Sequence, residues 1–131
     1  MTIERVSIVA GEWGIELAAE PGGPLHQVAF GPPPDPAAAP AGDLAFPLAL
    51  YPRAYPTYGD EPLRDPALRV THADGSTITR LAFDGHHSEP TDQGEAHTVT
   101  LRDPVAGLTV RLAFATHAAH GVIEQWAEVA N

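Results

Sequence analysis

The chain has 131 residues, enough for one modest domain, and a formal net charge of −10, which argues against nucleic acid or anionic membrane surfaces as partners. It contains no cysteine, which excludes disulfides, thiolate metal sites and cysteine nucleophiles. Its start lacks the features of a signal peptide, and no run approaches the roughly 20 apolar residues of a membrane span, so we expect a cytoplasmic protein. The basic residues are all arginine, and with alanine and proline so frequent this composition favours a bacterial source.

The first thirty residues predict three short strands joined by tight turns. Apolar residues recur at alternate positions, the period of a strand with one buried face, at Val6, Ile8, Trp13, Ile15 and Leu17. The run PGG at 21–23 interrupts this alternation, which resumes in LHQVAF. We expect Trp13, and likewise Trp126 near the end of the chain, to lie in the core because each belongs to an alternating strand.

A Pro- and Ala-rich segment at 31–45 follows. Prolines remove backbone donors and fix φ, so GPPPDPAAAPAGD, Gly31 to Asp43, is predicted to be an exposed loop or arm rather than a strand or helix. LAFPLAL then leads into a stiff, aromatic segment that we call the elbow, Tyr55 to Val70, with the sequence YPTYGDEPLRDPALRV.

Two hairpins and a final strand are predicted after the elbow. In ALRVTHADGSTITRLAF the turn falls at Ala73–Ser76, where Asp-Gly suits a hairpin, and in AHTVTLRDPVAGLTVRLAFATH it falls at Asp103–Gly107. The second hairpin places its apolar residues on one face, namely Val99, Leu101, Leu108, Val110, Leu112 and Phe114. GVIEQWAEVAN is predicted to be the last strand.

The fold class predicted from this pattern is all-β: an antiparallel β-sandwich, nearly free of helix, forming a single domain over 1–131. Val129–Asn131 continues a strand with no polar tail, and an edge strand normally carries some feature that prevents pairing. We therefore expect further strands after this point in the parent protein, and a bare edge that seeks a partner.

Candidate chemistry is weak, and we assign no catalytic, cofactor-binding or metal-binding residues. Two groups of acids stand out, Asp60, Glu61 and Asp65 in the elbow, and Asp84, Glu89, Asp92 and Glu95 in one predicted loop. Loop acids in an acidic protein are usually solvated. Serines lack the context of a nucleophile elbow, and no Gly-rich phosphate-binding loop precedes a helix.

The histidines invite a metal hypothesis that the spacing does not support. His86 and His87 are adjacent, so on a strand they point to opposite faces, and His117 and His120 lack an obvious third ligand. We interpret the histidines, including His26, His72 and His97, as surface and cross-strand residues. The tyrosines Tyr51, Tyr55 and Tyr58 lie in Pro-rich sequence and are predicted at a surface or interface.

The elbow carries a pattern that resembles the N-terminal domain of family 36 glycoside hydrolases, the bacterial and fungal α-galactosidases. Its candidate motif and interface residues are Tyr55, Pro56, Tyr58, Gly59, Arg64, Pro66 and Ala67. The downstream DGS turn, the DPxxGL hairpin and the terminal VxN resemble the same family, so that the resemblance covers about Phe46 to Asn131. The chain departs from the family at Ala54, Pro62 and Leu63, and in a short loop at HHSEPTDQGEAH.

This resemblance implies a β-supersandwich of galactose mutarotase-like type, followed in the parent protein by a catalytic (β/α)₈ barrel that holds both catalytic carboxylates. It also implies homo-oligomers and galactoside ligands. The elbow would then be a docking surface between sandwich and barrel or between subunits, with a mere strand crossover as the other interpretation. The alternative for the whole chain is a free-standing carbohydrate-binding or protein-interaction module.

Overall fold

The computed structural model describes residues 2–32, 44, 46–60 and 65–131. Two antiparallel sheets face each other. The first has the order β1 (Glu4–Ala10), β2 (Trp13–Ala19), β3 (Leu25–Gly31). The second has the order β4 (Ala82–Pro90), β5 (Glu95–Asp103), β6 (Leu108–His117), β7 (Val122–Ala130). The predicted all-β, antiparallel sandwich is therefore confirmed.

Helix is confined, in the described part of the chain, to two 3₁₀ turns of three residues each, Leu48–Leu50 and Ala118–His120. No helix of these residues is long and apolar enough to cross a membrane. The predicted arm at 31–45 falls mostly on residues 33–43 and 45, which lie outside the described residues, while Gly31 ends β3.

The core lies between the two sheets and follows from the two-residue period of the strands. Each apolar residue of β5 and β6 that the alternation assigned to one face is buried, as the pairs Val99–Leu112 and Leu101–Val110 illustrate. Strands β1 and β2 contribute the facing layer of Val6, Ile8, Ile15 and Leu17. The hairpin β5–β6 and its turn at Asp103–Gly107 are formed as predicted.

The prediction that both tryptophans lie in the core is wrong, because each is about half exposed. Trp13 lies at the end of β2 and stacks on Phe30 of β3, with ring centroids 6.4 Å apart. Trp126 lies on the face of β7 opposite to the core, directly across from Ala113. Alternation assigns a residue to a face, but it does not say whether another element covers that face.

Three further predictions are wrong. Residues 67–81 form the expected turn at Ala73–Gly75 but no pair of strands around it. The segment around Asp84 and Glu89, predicted as a loop, is strand β4, and a four-residue connection at 91–94 joins it to β5. His26 and His97 are buried rather than at the surface. For residues 67–81 and for His26 the decisive contacts come from distant parts of the chain.

Candidate functional site

The candidate site centres on the elbow, and its approach along Tyr51–Ala54 pairs with the outer edge of β3. Arg53 forms an antiparallel bridge with His26. Gln27 N–H donates to Pro52 O at 3.0 Å, and Ala54 N–H donates to Leu25 O at 2.9 Å. Pro52 has no backbone N–H to donate, which suits a position at the edge of a sheet. The first sheet is thereby extended by a short fourth segment.

The middle of the elbow is held on two sides. Thr57 forms a parallel bridge with Leu68, and Tyr58 N–H donates to Leu68 O at 3.0 Å. From the other side Thr79 N–H donates to Tyr58 O at 3.3 Å, and the Thr57 hydroxyl donates to Thr79 O. Thr57 and Thr79 are fully buried. These bonds occupy main-chain groups that a hairpin at 67–81 would have needed.

A polar relay fixes the elbow to β3. His26 Nδ1 lies 2.9 Å from Tyr51 O, so this nitrogen carries the proton and donates. His26 Nε2 then accepts from Arg53 Nη1 at 3.0 Å, and Arg53 Nε donates to Asp60 Oδ2 at 3.3 Å. Sequence reasoning missed this relay. No local signal could have revealed it, because His26 and Arg53, which are bonded to each other, lie 27 residues apart.

The aromatic residues of the elbow occupy different environments. Tyr55 is half-buried against the core, and this burial raises the pKa of its hydroxyl above the ordinary range. Tyr58 is 41% exposed, and the Arg69 guanidinium lies over its ring at 4.5 Å from the centroid. Tyr58 and Arg69 therefore present a polar, aromatic surface, whereas Tyr55 packs against the core.

Of the remaining motif residues that the structure describes, Gly59, Pro66 and Ala67 are exposed and Pro56 is half-buried. Gly59 has a φ of +92°, and a Cβ placed there would lie 3.0 Å from the Ile78 side chain. Pro56 O accepts a hydrogen bond from Ala67 N–H at 2.7 Å, and Pro66 beside Ala67 is exposed. Arg64 lies outside the described residues. The described motif residues come together in one surface segment.

A cavity of about 690 Å³ opens next to the elbow. Its walls come from residues 70–80, from the β5–β6 turn and from the end of β7, including Ile78, Leu108 and Val129. At its base lies the buried carboxylate of Asp103, which accepts from Arg80 N at 3.1 Å, Val105 N at 3.0 Å and Ala106 N at 3.1 Å.

Burial alone would raise the pKa of Asp103. The hydrogen bonds from Ala106, Arg80 and Val105, with a smaller contribution from His72, outweigh it and lower the pKa below the ordinary range. This carboxylate is therefore a charged anchor for the turn. An aspartate at the start of a DPxxG turn is a signal that sequence reasoning could have used to find it.

From residue 125 onward, strand β7 is exposed on its inner face. Its residues 125, 127 and 129 share a face with Phe114, Leu112 and Val110 of β6, which are buried. Val129 is nevertheless 49% exposed, and no described strand pairs with the far edge of β7. The opposite sheet is too narrow to cover this strand. The uncovered strip leads into the cavity through Val129.

The other candidate side chains do not converge on a common centre. Arg53 contacts Asp60, Arg102 lies 3.4 Å from Asp84, and His117 Nε2 lies 3.2 Å from Glu124 Oε1. In the part of the chain that the structure describes, no three His, Cys, Asp or Glu side chains lie close enough together to hold one metal ion. Glu61 lies outside that part.

Comparison with known proteins decides the family. The sequence model described as the glycosyl hydrolase family 36 N-terminal domain matches residues 12–131. The chain belongs to this family. The family assignment drawn from the elbow and the hairpin is thus confirmed. Alpha-galactosidase AgaA of Geobacillus stearothermophilus is 30% identical to the chain, in a match that spans 79% of this chain and 16% of AgaA.

Solved structures of family 36 enzymes share the fold. The crystal structure of AgaA superposes with a TM-score of 0.79 at 24% identity, covering 98% of this chain and 22% of AgaA. The α-galactosidase of Lactobacillus brevis gives 0.78 at 21% identity, covering 97% and 21%. The galactosidase domain of the α-galactosidase–sucrose kinase AgaSK gives 0.76 at 17% identity, covering 94% and 21%. The family 36 domain described here therefore spans about a fifth of these relatives.

Proposed function

We propose that this chain is the non-catalytic N-terminal domain of a retaining α-galactosidase that acts on α-galactosides, and that it serves docking onto the catalytic barrel and oligomer assembly. The family assignment supports the type of parent protein. Crystal structures of AgaA variants hold raffinose or stachyose, which supports α-galactosides as the substrate class.

The observation that carries the docking role is the uncovered inner face of β7. The inner faces of β5 and β6 are buried. On β7 the apolar side chains at 127 and 129, which lie on the same face, are exposed to water. The strip continues into the cavity beside the elbow. A barrel domain packed here would cover the strip and fill the cavity together.

The docking role is tested in the full-length parent protein. Val129→Glu and Ala127→Glu place charges in the strip. They should lower the melting temperature of the parent protein and weaken the contact between the sandwich and the barrel. Val9→Glu is the matched control, because Val9 is exposed on the outer face of β1. Equal effects of all three substitutions would overturn the docking role. A stop codon after Asn131 in the gene would instead favour a free-standing module.

The non-catalytic role is tested with the 131-residue chain and p-nitrophenyl α-galactoside or raffinose, with AgaA as the positive control. Retaining hydrolysis needs a nucleophile and an acid/base held about 5–5.5 Å apart across a pocket. Asp60 is engaged by Arg53, and Asp65 is exposed. We expect no turnover. Turnover that disappears on changing Asp60 and Asp65 to asparagine would make the elbow an active site.

Oligomer assembly is a separate part of the proposal. Trp13 and Phe30 form an exposed stacked pair, with Phe30 68% exposed, and a second subunit covering the pair would remove it from water. Phe30→Glu should reduce self-association in analytical ultracentrifugation, whereas Leu50→Glu, at a position 71% exposed and away from the cavity, should not. A concentration-independent monomer in the parent protein would contradict this part.

The second candidate function, a carbohydrate-binding module, is favoured by Tyr58 and Arg69. An exposed ring beside a guanidinium can stack on a sugar and donate to its hydroxyls. Calorimetric titration with galactose or raffinose tests it, with Tyr58→Ala expected to abolish the heat and Tyr55→Phe, which keeps the half-buried ring, expected to preserve it. No heat with either sugar would remove this candidate.

A further inference from the structure

The outer half of edge strand β4 is held by few side-chain contacts. Phe83 is buried and fixes the start of the strand, and a bulge follows between Phe83 and His86. From residue 84 to residue 90 no residue is buried. We call residues 86–90, which follow the bulge, the distal half of β4. Side-chain contacts with β5 therefore contribute more to holding this half in place than they do for the other strands.

One such tie joins two histidines across β4 and β5. His86 Nε2 lies 3.0 Å from His97 Nδ1, and the ring planes are inclined by only 7°. The ring centroids are 5.3 Å apart, which is the N···N distance plus one ring radius at each end. The two rings therefore lie end to end in nearly one plane. The N–H of one points straight at the lone pair of the other, the best geometry for a hydrogen bond.

Glu95 decides which nitrogen carries the proton. His97 is buried, and its Nε2 lies 3.4 Å from Glu95 Oε2. The negative charge favours the His97 tautomer with its proton on Nε2, which leaves Nδ1 as an acceptor. His86 must then donate from Nε2, and its Nδ1 is the position that takes an added proton. The order is carboxylate, His97, His86.

Acid protonates the two hydrogen-bonded histidines in two steps. A first proton on His86 Nδ1 leaves the bond intact, because Nε2–H still donates. A second proton on His97 Nδ1 places two N–H groups face to face, and the bond is lost. Burial lowers the pKa of both histidines; for His86 the charges of His97 and His87 lower the pKa further, while Glu95 opposes both shifts.

Among the residues that the structure describes, the register partners of the two histidines on the neighbouring strands are uncharged. On β6 the residue opposite His97 is Phe114, and on β4 it is Ser88. The residues that β1 and β2 contribute to the core cluster are apolar. The proton balance of the pair is thus set by Glu95, His87 and the two rings themselves.

We propose that Glu95, His97 and His86 form a proton-operated latch that holds the distal half of β4 on β5 and releases it in acid. In the released strand the two histidines have ordinary pKa values, whereas in the closed strand their pKa values are lowered. Opening is therefore favoured as the pH falls below about 6.5. Release would bare the main-chain groups of β5 that pair with β4.

Hydrogen exchange measured by mass spectrometry tests the latch in the chain at pH 7.5 and pH 5.0, after correction for intrinsic exchange rates. We expect opening of the distal half of β4 to rise severalfold in acid, because the histidines of the released strand bind protons that the closed strand excludes. Peptides from β1 and β2 should not follow. A double variant, His86→Asn with His97→Gln, should open more readily at pH 7.5 and lose the acid response.

Two single variants should act in opposite directions. Glu95→Gln removes the charge that helps the closed strand accept protons, so the acid response should grow. His87→Asn removes a charge that opposes protonation of His86, so the response should shrink. His117→Asn, at a histidine on β6 that contacts Glu124, is the matched control and should leave β4 unchanged. Equal opening at both pH values, or an acid response that survives in the double variant, would overturn the latch.

Discussion

The buried hydroxyl of Thr57 donates a hydrogen bond to the main-chain carbonyl of Thr79, 22 residues away. The elbow is thereby tied from within to the segment that leads into β4. Neither residue is exposed to water, so the carbonyl has no replacement partner if the hydroxyl is removed. The elbow is thus part of the framework of the sandwich as well as part of its surface.

Thr57→Val keeps the shape of the side chain but removes the donor. We expect the free energy of unfolding to fall by about 1–3 kcal/mol, the cost of an unsatisfied buried acceptor. Chemical denaturation followed by tryptophan fluorescence measures it. Thr71→Val, at an exposed position, should change stability by less than about 0.5 kcal/mol. Equal losses in the two variants would mean that the Thr57 bond contributes nothing specific.

Alanine substitutions at Gly59 and Gly75 distinguish the cost of backbone strain from the cost of a packing clash. Both have positive φ, +92° and +84°, but a Cβ at Gly59 would lie 3.0–3.1 Å from Ile78, whereas a Cβ at Gly75 meets nothing within 4 Å. Gly75→Ala should destabilise by about 1–2 kcal/mol through strain alone. Gly59→Ala should add the cost of displacing Ile78 and be clearly worse. Thermal unfolding of the two variants side by side is the check, and a smaller loss at Gly59 would contradict the contact.

Asp103→Asn tests the charged anchor of the β5–β6 turn. The pKa of Asp103 is lowered in the folded chain, so its stabilisation is present at neutral pH and is lost as the pH falls below about 4 toward the lowered value. The variant should lose about 2 kcal/mol at pH 7.

The pH dependence of that loss is the sharper measurement. Urea denaturation at pH 7 and pH 3 should show the difference between the wild-type chain and Asp103→Asn narrowing in acid. Asp84→Asn is the control, because its carboxylate is about half exposed beside Arg102 and should contribute less than about 1 kcal/mol at either pH. A loss that is the same at both pH values would show that the charge of Asp103 does not matter.

Leu112→Ala probes the core between the sheets. Leu112 is fully buried on β6, so truncation should leave a cavity and lower the free energy of unfolding by about 2–5 kcal/mol. Leu50→Ala, at a position 71% exposed, should have little effect. Denaturant titration of both variants gives the comparison. A small loss at Leu112 would mean that the two sheets do not pack as tightly as the structure indicates.

The sequence by itself determined the strands whose contacts are local. The hairpin β5–β6 follows from alternation on both sides of a DPxxG turn, and its apolar face is the buried face. The three strands of the first sheet follow in the same way. The elbow motif and this hairpin were also enough to indicate the family, because they are patterns of residue type at fixed spacing.

Only the tertiary structure decided how far each face is covered and where the distant polar groups meet. Trp13 alternates with the buried Ile15 and yet is about half exposed at the first position of β2, and Trp126 lies on the face of β7 that points away from the core. Residues 67–81 alternate as strands do, but Tyr58 and Asp103 take the amides of Thr79 and Arg80. The relay from His26 to Asp60 and the pair His86–His97 likewise join separate segments. A two-residue period carries no record of such contacts, because it describes only neighbours along the chain.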